Sequence, residues 1–120
     1  MVVLLKRVND PPEAGDGWRV LVERLWPRGV TKERARAGLW LKEAGASNEL
    51  RKWYGHDPAK WEEFRARYFA EMRERPEVLR MLREILAEHP VVTFLYSTRA
   101  AERNNAVALK EFIENREDNG

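Results

Sequence analysis

The chain has 120 residues, of which 43% are hydrophobic and 35% are charged, and it contains no cysteine. This composition is typical of one soluble globular domain, and it excludes disulfides and thiolate metal sites. No run approaches the roughly eighteen apolar residues that cross a membrane, and residues 1–10 do not resemble a signal peptide. We therefore expect a cytoplasmic protein. Because 22 Lys and Arg residues barely exceed 20 Asp and Glu residues, strong bulk attraction to nucleic acid is not expected.

Apolar runs predict four strands in chain order: residues 2–7, 19–23, 39–41 and 91–96. The last of these, VVTFLY, is apolar on both faces, which favours a central position in a sheet. Two prolines end the first strand, because proline cannot donate to a sheet ladder. Residues 115–120 have no apolar partner and are expected to form a frayed tail.

Capping residues and apolar periodicity predict the helices. Thr31 begins a short helix from Lys32 to about Ala37, which Gly38 closes. Ser47 or Asn48 caps a helix that Gly55 ends. Three further helices are predicted: from Asp57-Pro58 to about residue 73, from Pro76 to His89-Pro90, and after Asn104 or Asn105.

Strands separated by helical segments predict an α/β layered fold, with a small, mostly parallel sheet and helices on both faces. Ligands in such folds bind beyond the carboxyl ends of the strands. Two loops leave strands in that position, residues 24–29 after the second strand and residues 97–104 after the last. These two loops therefore carry most of the candidate site residues.

The first loop, ERLWPRG from Glu23 to Gly29, places Arg24 and Arg28 around a Trp26-Pro27 pair. Arginine holds phosphates and carboxylates through a rigid fork of donors, so one interpretation is an anion clamp shaped by the Trp-Pro pair. The structural alternative is that Glu23 pairs with Arg24 and that Trp26 packs.

The second loop, residues 96–106, carries Ser97, Arg99, Asn104 and Asn105 ahead of a predicted helix. A helix N-terminus offers free N–H groups and a partial positive charge, which suit an anion. The structural alternative is that one asparagine caps the helix and Arg99 is solvated. One asparagine suffices for a cap, so this alternative leaves the second asparagine unexplained, and both interpretations stay open.

His56 lies between Gly55 and the Asp57 cap and is a candidate general base, because its ordinary pKa lies near neutrality. A structural role at a helix corner is the alternative. No second histidine follows at ligand spacing, so no metal is expected. No glycine-rich phosphate loop or dinucleotide fingerprint is present, so no cofactor is expected.

Three segments, RVLVERLWPRG, LWLKEAGASNELRKWYGHDPAKWEEF and VTFLYSTRAAERNNAVALKEF, occur in this order. The chain resembles the domain-of-unknown-function 488 family in its short YeaO-like branch. The resemblance implies a Rossmann-like fold and an intracellular setting, and it implies no activity. It covers all the loop candidates above and the His56-Asp57 pair. Two positions depart from the pattern of relatives, which usually carry Asp at position 23 and an acid at position 100, here Ala100.

The leading hypothesis is a pocket protein that binds an anionic small molecule, a phosphate- or carboxylate-bearing metabolite or nucleotide. Its ligand-binding residues would be Arg24, Trp26, Arg28, Ser97, Arg99, Asn104 and Asn105. His56 or Glu23 would transfer a proton if the protein is an enzyme, a point that the residues leave open. The alternative is a nucleic-acid or protein-binding module that uses the basic stretch of residues 19–36, which the overall charge balance does not favour. An assembly role, as in a homodimer, is a third hypothesis and predicts a large exposed apolar area.

Overall fold

The computed structural model describes residues 2–115. Its four strands and five α-helices follow the predicted order. The strands are β1 (Val2–Arg7), β2 (Trp18–Leu21), β3 (Leu39–Trp40) and β4 (Val91–Tyr96). The helices are α1 (Lys32–Ala35), α2 (Asn48–Tyr54), α3 (Trp61–Arg73), α4 (Pro76–Glu88) and α5 (Asn105–Glu114).

The strands form one sheet in the order β1-β4-β2-β3, and every pairing is parallel. β4 pairs with β1 along its whole length and with β2 from Val92 to Leu95. This confirms the predicted α/β layered fold, and it confirms the central position that the apolar sequence of β4 indicated. Because β2 and β4 are neighbours, the two candidate loops leave the same edge of the sheet side by side.

The main core lies on one face of the sheet, where side chains of α2, α3, α4 and α5 pack against alternate residues of the strands. Val20, Val92 and Phe94 supply the sheet side of this core and are fully buried. On the helix side, the apolar stripe of α3 buries Phe64 and Tyr68. The Tyr68 hydroxyl donates to the Ala44 carbonyl at 2.6 Å, which fixes the segment before α2.

The opposite face has a thinner cover. A smaller cluster of buried residues lies there, with α1 as its helical element: Val8, Leu21, Val30, Ala35 and Leu95. The rest of this cover is a loop that places Asp16 against Arg19, with 2.6 Å between Oδ2 and Nη1. Arg19 also donates to the Ala35 carbonyl at 2.7 Å. Helices therefore lie on both faces, but very unequally.

Most of the predicted caps are observed. The side chains of Thr31, Ser47, Asp57 and Asn104 each accept a backbone N–H at the start of a helix or helical turn. Gly55 adopts the left-handed conformation that ends α2. None of the helices within residues 2–115 is long and apolar enough to cross a membrane.

Several boundaries differ from the prediction, including the start of α3, which lies at Trp61 after a separate turn over Pro58–Lys60. α1 ends at Ala35, with Arg36 in the left-handed conformation, whereas Gly38 was expected to close it. Gly38 instead packs beneath Trp18, whose ring lies 2.6 Å from where a Cβ would stand. β2 ends at Leu21, two residues early. Asn115 caps α5 through its N–H to the Glu111 carbonyl at 2.9 Å, and the rest of the predicted tail, residues 116–120, lies outside the described residues.

Candidate functional site

The two candidate loops meet at the carboxyl ends of β2 and β4. The Glu23 carboxylate accepts the backbone N–H of Ser97 at 3.2 Å, which joins residues 74 positions apart in the chain. A cavity of about 320 Å³ opens between the loops, within the range of roughly 300–1,000 Å³ that holds small ligands. Of the predicted site residues, the following line it: Glu23, Arg24, Trp26, Arg28, His56, Ser97, Asn104 and Asn105.

Glu23 presents a carboxylate in this cavity. Burial raises the pKa of Glu23 above its ordinary value, while hydrogen bonds from Ser97 and electrostatic interactions with His56 and Arg51 act in the opposite direction. The side chain therefore faces basic groups from a different part of the chain. It makes no ion pair with Arg24, which was the structural alternative for this loop.

Arg24 and Trp26 hold the first loop in place. Arg24 donates from Nη2 to the Gly45 carbonyl at 3.0 Å and from Nε to the Ala46 carbonyl at 3.4 Å. Burial lowers the pKa of Arg24, and the charge of Arg75 adds to the effect. The indole N–H of Trp26 donates to the Val30 carbonyl at 2.6 Å. Both side chains line the cavity while these donors bond to backbone.

The two asparagines have different tasks. Asn104 caps α5, because its Oδ1 accepts the Val107 N–H at 3.0 Å. Asn105 bridges two segments: its Oδ1 accepts the Ala46 N–H at 2.6 Å and its Nδ2 donates to the Val22 carbonyl at 2.9 Å. Asn105 therefore connects the end of β2 to the segment before α2. This structural role accounts for the second asparagine without a ligand.

The other two predicted arginines, Arg28 and Arg99, are more exposed to solvent than Arg24. Arg28 lines the cavity and is exposed. Arg99 is exposed and is not part of the cavity lining, which takes Ser97 and Thr98 from its loop. Arg99 therefore does not contribute its charge to the cavity wall. The arginines that line the cavity are Arg24 and Arg28 from the first loop and Arg51.

Sequence reasoning missed the contribution of α2, which places Arg51 and Tyr54 in the cavity wall. The Arg51 Nε is buried and has no hydrogen-bond partner among the described residues, while its Nη2 donates to Asn48 at 3.1 Å. His56 follows directly, in the left-handed conformation with φ of 57°. A non-glycine residue with positive φ is uncommon, and such residues are enriched at functional sites. The available signal was the spacing of three between Arg51 and Tyr54, which puts both on one helix face.

The described residues contain no group of three or more His, Asp or Glu side chains able to hold a metal ion. The cavity does hold hydrogen-bond donors of several kinds: guanidinium, imidazole, hydroxyl and amide groups. Such a set can bind an anionic group and a neighbouring polar group at the same time.

A small parallel sheet with helices packed on its faces defines an α/β protein of the layered class. The chain matches the family model described as the inactive DUF488-N3 subclade over residues 2–119, and it belongs to that family. This confirms the resemblance to the domain-of-unknown-function 488 family.

Two similar proteins span nearly the same length. The chain is 37% identical over 113 residues to the uncharacterized protein YeaO of Escherichia coli K12, covering 94% of this chain and 97% of YeaO. It is 36% identical over 114 residues to the uncharacterized protein Rv3073c of Mycobacterium tuberculosis, covering 95% of each. No solved structure gives a significant match.

Proposed function

We propose that this protein binds a small molecule bearing a phosphate or carboxylate group in the cavity between the β2 and β4 loops. The observation that carries the proposal is Arg51, which lines this cavity and whose buried Nε has no acceptor among the described residues. A buried donor without a partner costs about 1–3 kcal/mol, more for a charged group. An anion bound against Arg51 would satisfy it.

The surrounding charges support the same assignment. His56 and Arg28 line the cavity together with Arg51, and the cavity reaches the N-terminal end of α5, where Asn104 and Asn105 stand. Helix N-termini favour anions through free N–H groups and the helix dipole. Arg51 thus replaces Arg24 in our assignment as the main anion anchor, since Arg24 already donates to two carbonyls.

Glu23 restricts the ligand further. A carboxylate in the wall would repel a bare anion, so we expect the ligand to offer an N–H or O–H donor next to its anionic group. Such a donor would complement the Glu23 oxygens, of which Oε2 already accepts the Ser97 N–H. Sugar phosphates and nucleotides have this combination of groups.

We propose that the protein binds its ligand without converting it, because the matching family is described as an inactive subclade. Position 100, where the resemblance expects an acid, is alanine. Proton transfer by Glu23 or His56 stays a separate prediction. If turnover exists, Glu23→Gln removes it while binding persists.

The test compares two substitutions on the same helix. Arg51→Gln removes the charged donor, and Lys52→Gln is the matched control, because Lys52 is exposed and outside the cavity lining. Thermal-shift screening with inorganic phosphate, sugar phosphates, nucleotides and carboxylates identifies a compound that binds, since a ligand at 100 times its Kd adds about 2.7 kcal/mol. Calorimetric titration then measures each variant.

We expect Arg51→Gln to weaken binding at least tenfold and Lys52→Gln to leave it unchanged. Equal affinities for the wild type and Arg51→Gln would contradict the assignment of Arg51. The absence of stabilisation by every class of anion in the screen would contradict the proposed function itself.

Part of the basic stretch of residues 19–36 is not available on the surface for the nucleic-acid alternative. Arg19 is buried against Asp16, and Trp18 stacks on His89 with 4.8 Å between ring centroids. Trp26 bonds inward as described above. Titration with DNA and RNA at two salt concentrations tests what remains: binding with a steep salt dependence would favour this alternative. Homodimer formation also stays a prediction, tested by light scattering.

A further inference from the structure

A second cavity, of about 570 Å³, shares Trp26 with the first. It lies next to the edge strand β3 and is walled mainly by apolar groups, with one cationic side chain. Its principal lining residues are Trp26, Val30, Lys32, Ala37, Leu39 and Trp40. We call it the Trp26–Trp40 groove. The proposed anion site does not use it.

The two tryptophans form a fixed aromatic corner in this groove. Their ring centroids are 5.5 Å apart and the planes meet at 72°. Trp40 remains 39% exposed although its indole N–H donates to the Glu23 carbonyl at 2.8 Å. A large aromatic ring that is held rigidly and left open to solvent is a surface on which a planar ring can stack.

Glu23 connects the groove to the anion site. Its carboxylate lines the first cavity, and its backbone carbonyl holds the Trp40 ring in the second. One residue therefore positions a polar group on one side and an aromatic surface on the other. Lys42 adds positive charge at the groove, with its Nζ 5.9 Å from the Trp40 ring centroid.

We infer that the ligand of the proposed function is a mononucleotide, with its phosphate at Arg51 and its base in the Trp26–Trp40 groove. The inference rests on the proposed function. A molecule with an anionic group, hydroxyl donors and a planar ring fits the sequence of environments from Arg51 past Glu23 to Trp40. A sugar phosphate would leave the aromatic corner empty, and a nucleoside would leave the Arg51 donor without an acceptor.

The experiment titrates adenosine 5′-monophosphate, ribose 5-phosphate and adenosine into the wild type, Trp40→Leu and Arg51→Gln by calorimetry. We expect the wild type to bind adenosine monophosphate at least tenfold more tightly than ribose 5-phosphate, the factor that stacking of one base typically provides. Trp40→Leu should remove this difference and leave ribose 5-phosphate affinity unchanged. Trp40→Phe, which keeps a ring, should retain most of it. Arg51→Gln should weaken both phosphates.

The outcomes distinguish failure of the nucleotide inference from failure of the proposed anion site. Equal wild-type affinities for adenosine monophosphate and ribose 5-phosphate would overturn the nucleotide inference and leave the anion site standing. A preference for the nucleotide that survives Trp40→Leu would also overturn it. If adenosine binds and neither phosphate binds more tightly than adenosine, both the inference and the anion site are wrong. Circular dichroism of each variant confirms that the fold is intact.

Discussion

Asn105 should contribute more to stability than Asn104, although either could have capped α5. Its side chain bonds the Ala46 N–H and the Val22 carbonyl. Val22 is fully buried and Ala46 is 1% exposed, so water cannot replace these partners. Asn105→Ala therefore leaves one donor and one acceptor unpaired in the interior.

The expected loss follows from these two groups. An unpaired buried polar group costs about 1–3 kcal/mol, so Asn105→Ala should lose about 2–5 kcal/mol. That is a large part of the roughly 5–15 kcal/mol that keeps a domain folded. For a chain of this size each kcal/mol lowers Tm by about 3–6 °C, which gives a decrease of about 6–30 °C.

Urea denaturation and calorimetry of both alanine variants test the reasoning. Asn104→Ala removes a helix cap and should cost about 1–2 kcal/mol. If Asn105→Ala costs less than 1 kcal/mol, or no more than Asn104→Ala, the bridge does not hold the two segments together as we argue. Ligand affinity should also fall in Asn105→Ala, since the bridged segments form the cavity wall.

Three further predictions concern charge and space near the site. Because burial raises the pKa of Glu23, the folded protein binds that proton more tightly than the unfolded chain, and stability falls as pH rises through the carboxyl range. Glu23→Gln, whose amide oxygen can still accept the Ser97 N–H, should be more stable than wild type at pH 7 and lose this advantage by pH 3 in urea titrations. A variant less stable at pH 7 would contradict this. For Asp16, burial acts to raise the pKa, but hydrogen bonds, including the one from Arg19, outweigh it and the pKa is lowered. Asp16→Ala should therefore lose about 3–5 kcal/mol at pH 7, with a gap from wild type that closes as pH falls below 3.8 and through the lowered pKa; a gap independent of pH would refute the role of the charge. Gly45→Ala places a Cβ 2.3 Å from the backbone nitrogen of the residue after Glu23 and should cost about 1–3 kcal/mol, and a loss under 0.5 kcal/mol would show that the two segments have room to separate.

Local signals predicted the elements well because each signal acts within a few residues. The apolar run of β4 and the Asp57-Pro58 start depend on no distant partner, and both are observed. The end of α1 was predicted wrongly for the opposite reason. Gly38 is required by the Trp18 ring, which lies twenty residues earlier in the chain, so no local pattern distinguishes it from a helix-ending glycine.

The position of the candidate site in the fold could be derived from the sequence, but the contacts of its residues could not. The rule that ligands bind beyond the strand ends located both loops, and the order of the strands brought them together. The roles of individual arginines could not be derived, because they depend on which guanidinium groups donate hydrogen bonds to backbone carbonyls in the folded chain. Arg24 donates to two carbonyls, whereas Arg51, which was expected only as part of a helix, lines the cavity and has a buried Nε without an acceptor among the described residues.

Because the two faces of the sheet are covered unequally, we expect their amide hydrogens to exchange at different rates. The face beneath α2–α5 carries the main core, whereas the face under α1 is closed by one helical turn, a loop and the Asp16–Arg19 pair. Thin regions of this kind open by local fluctuation and exchange their amide hydrogens early. The Trp26–Trp40 groove belongs to that face, so a base seated there would slow exchange across α1 and β3. Occupancy of the groove would thus be detected as slower amide exchange on the thinly covered face of the sheet.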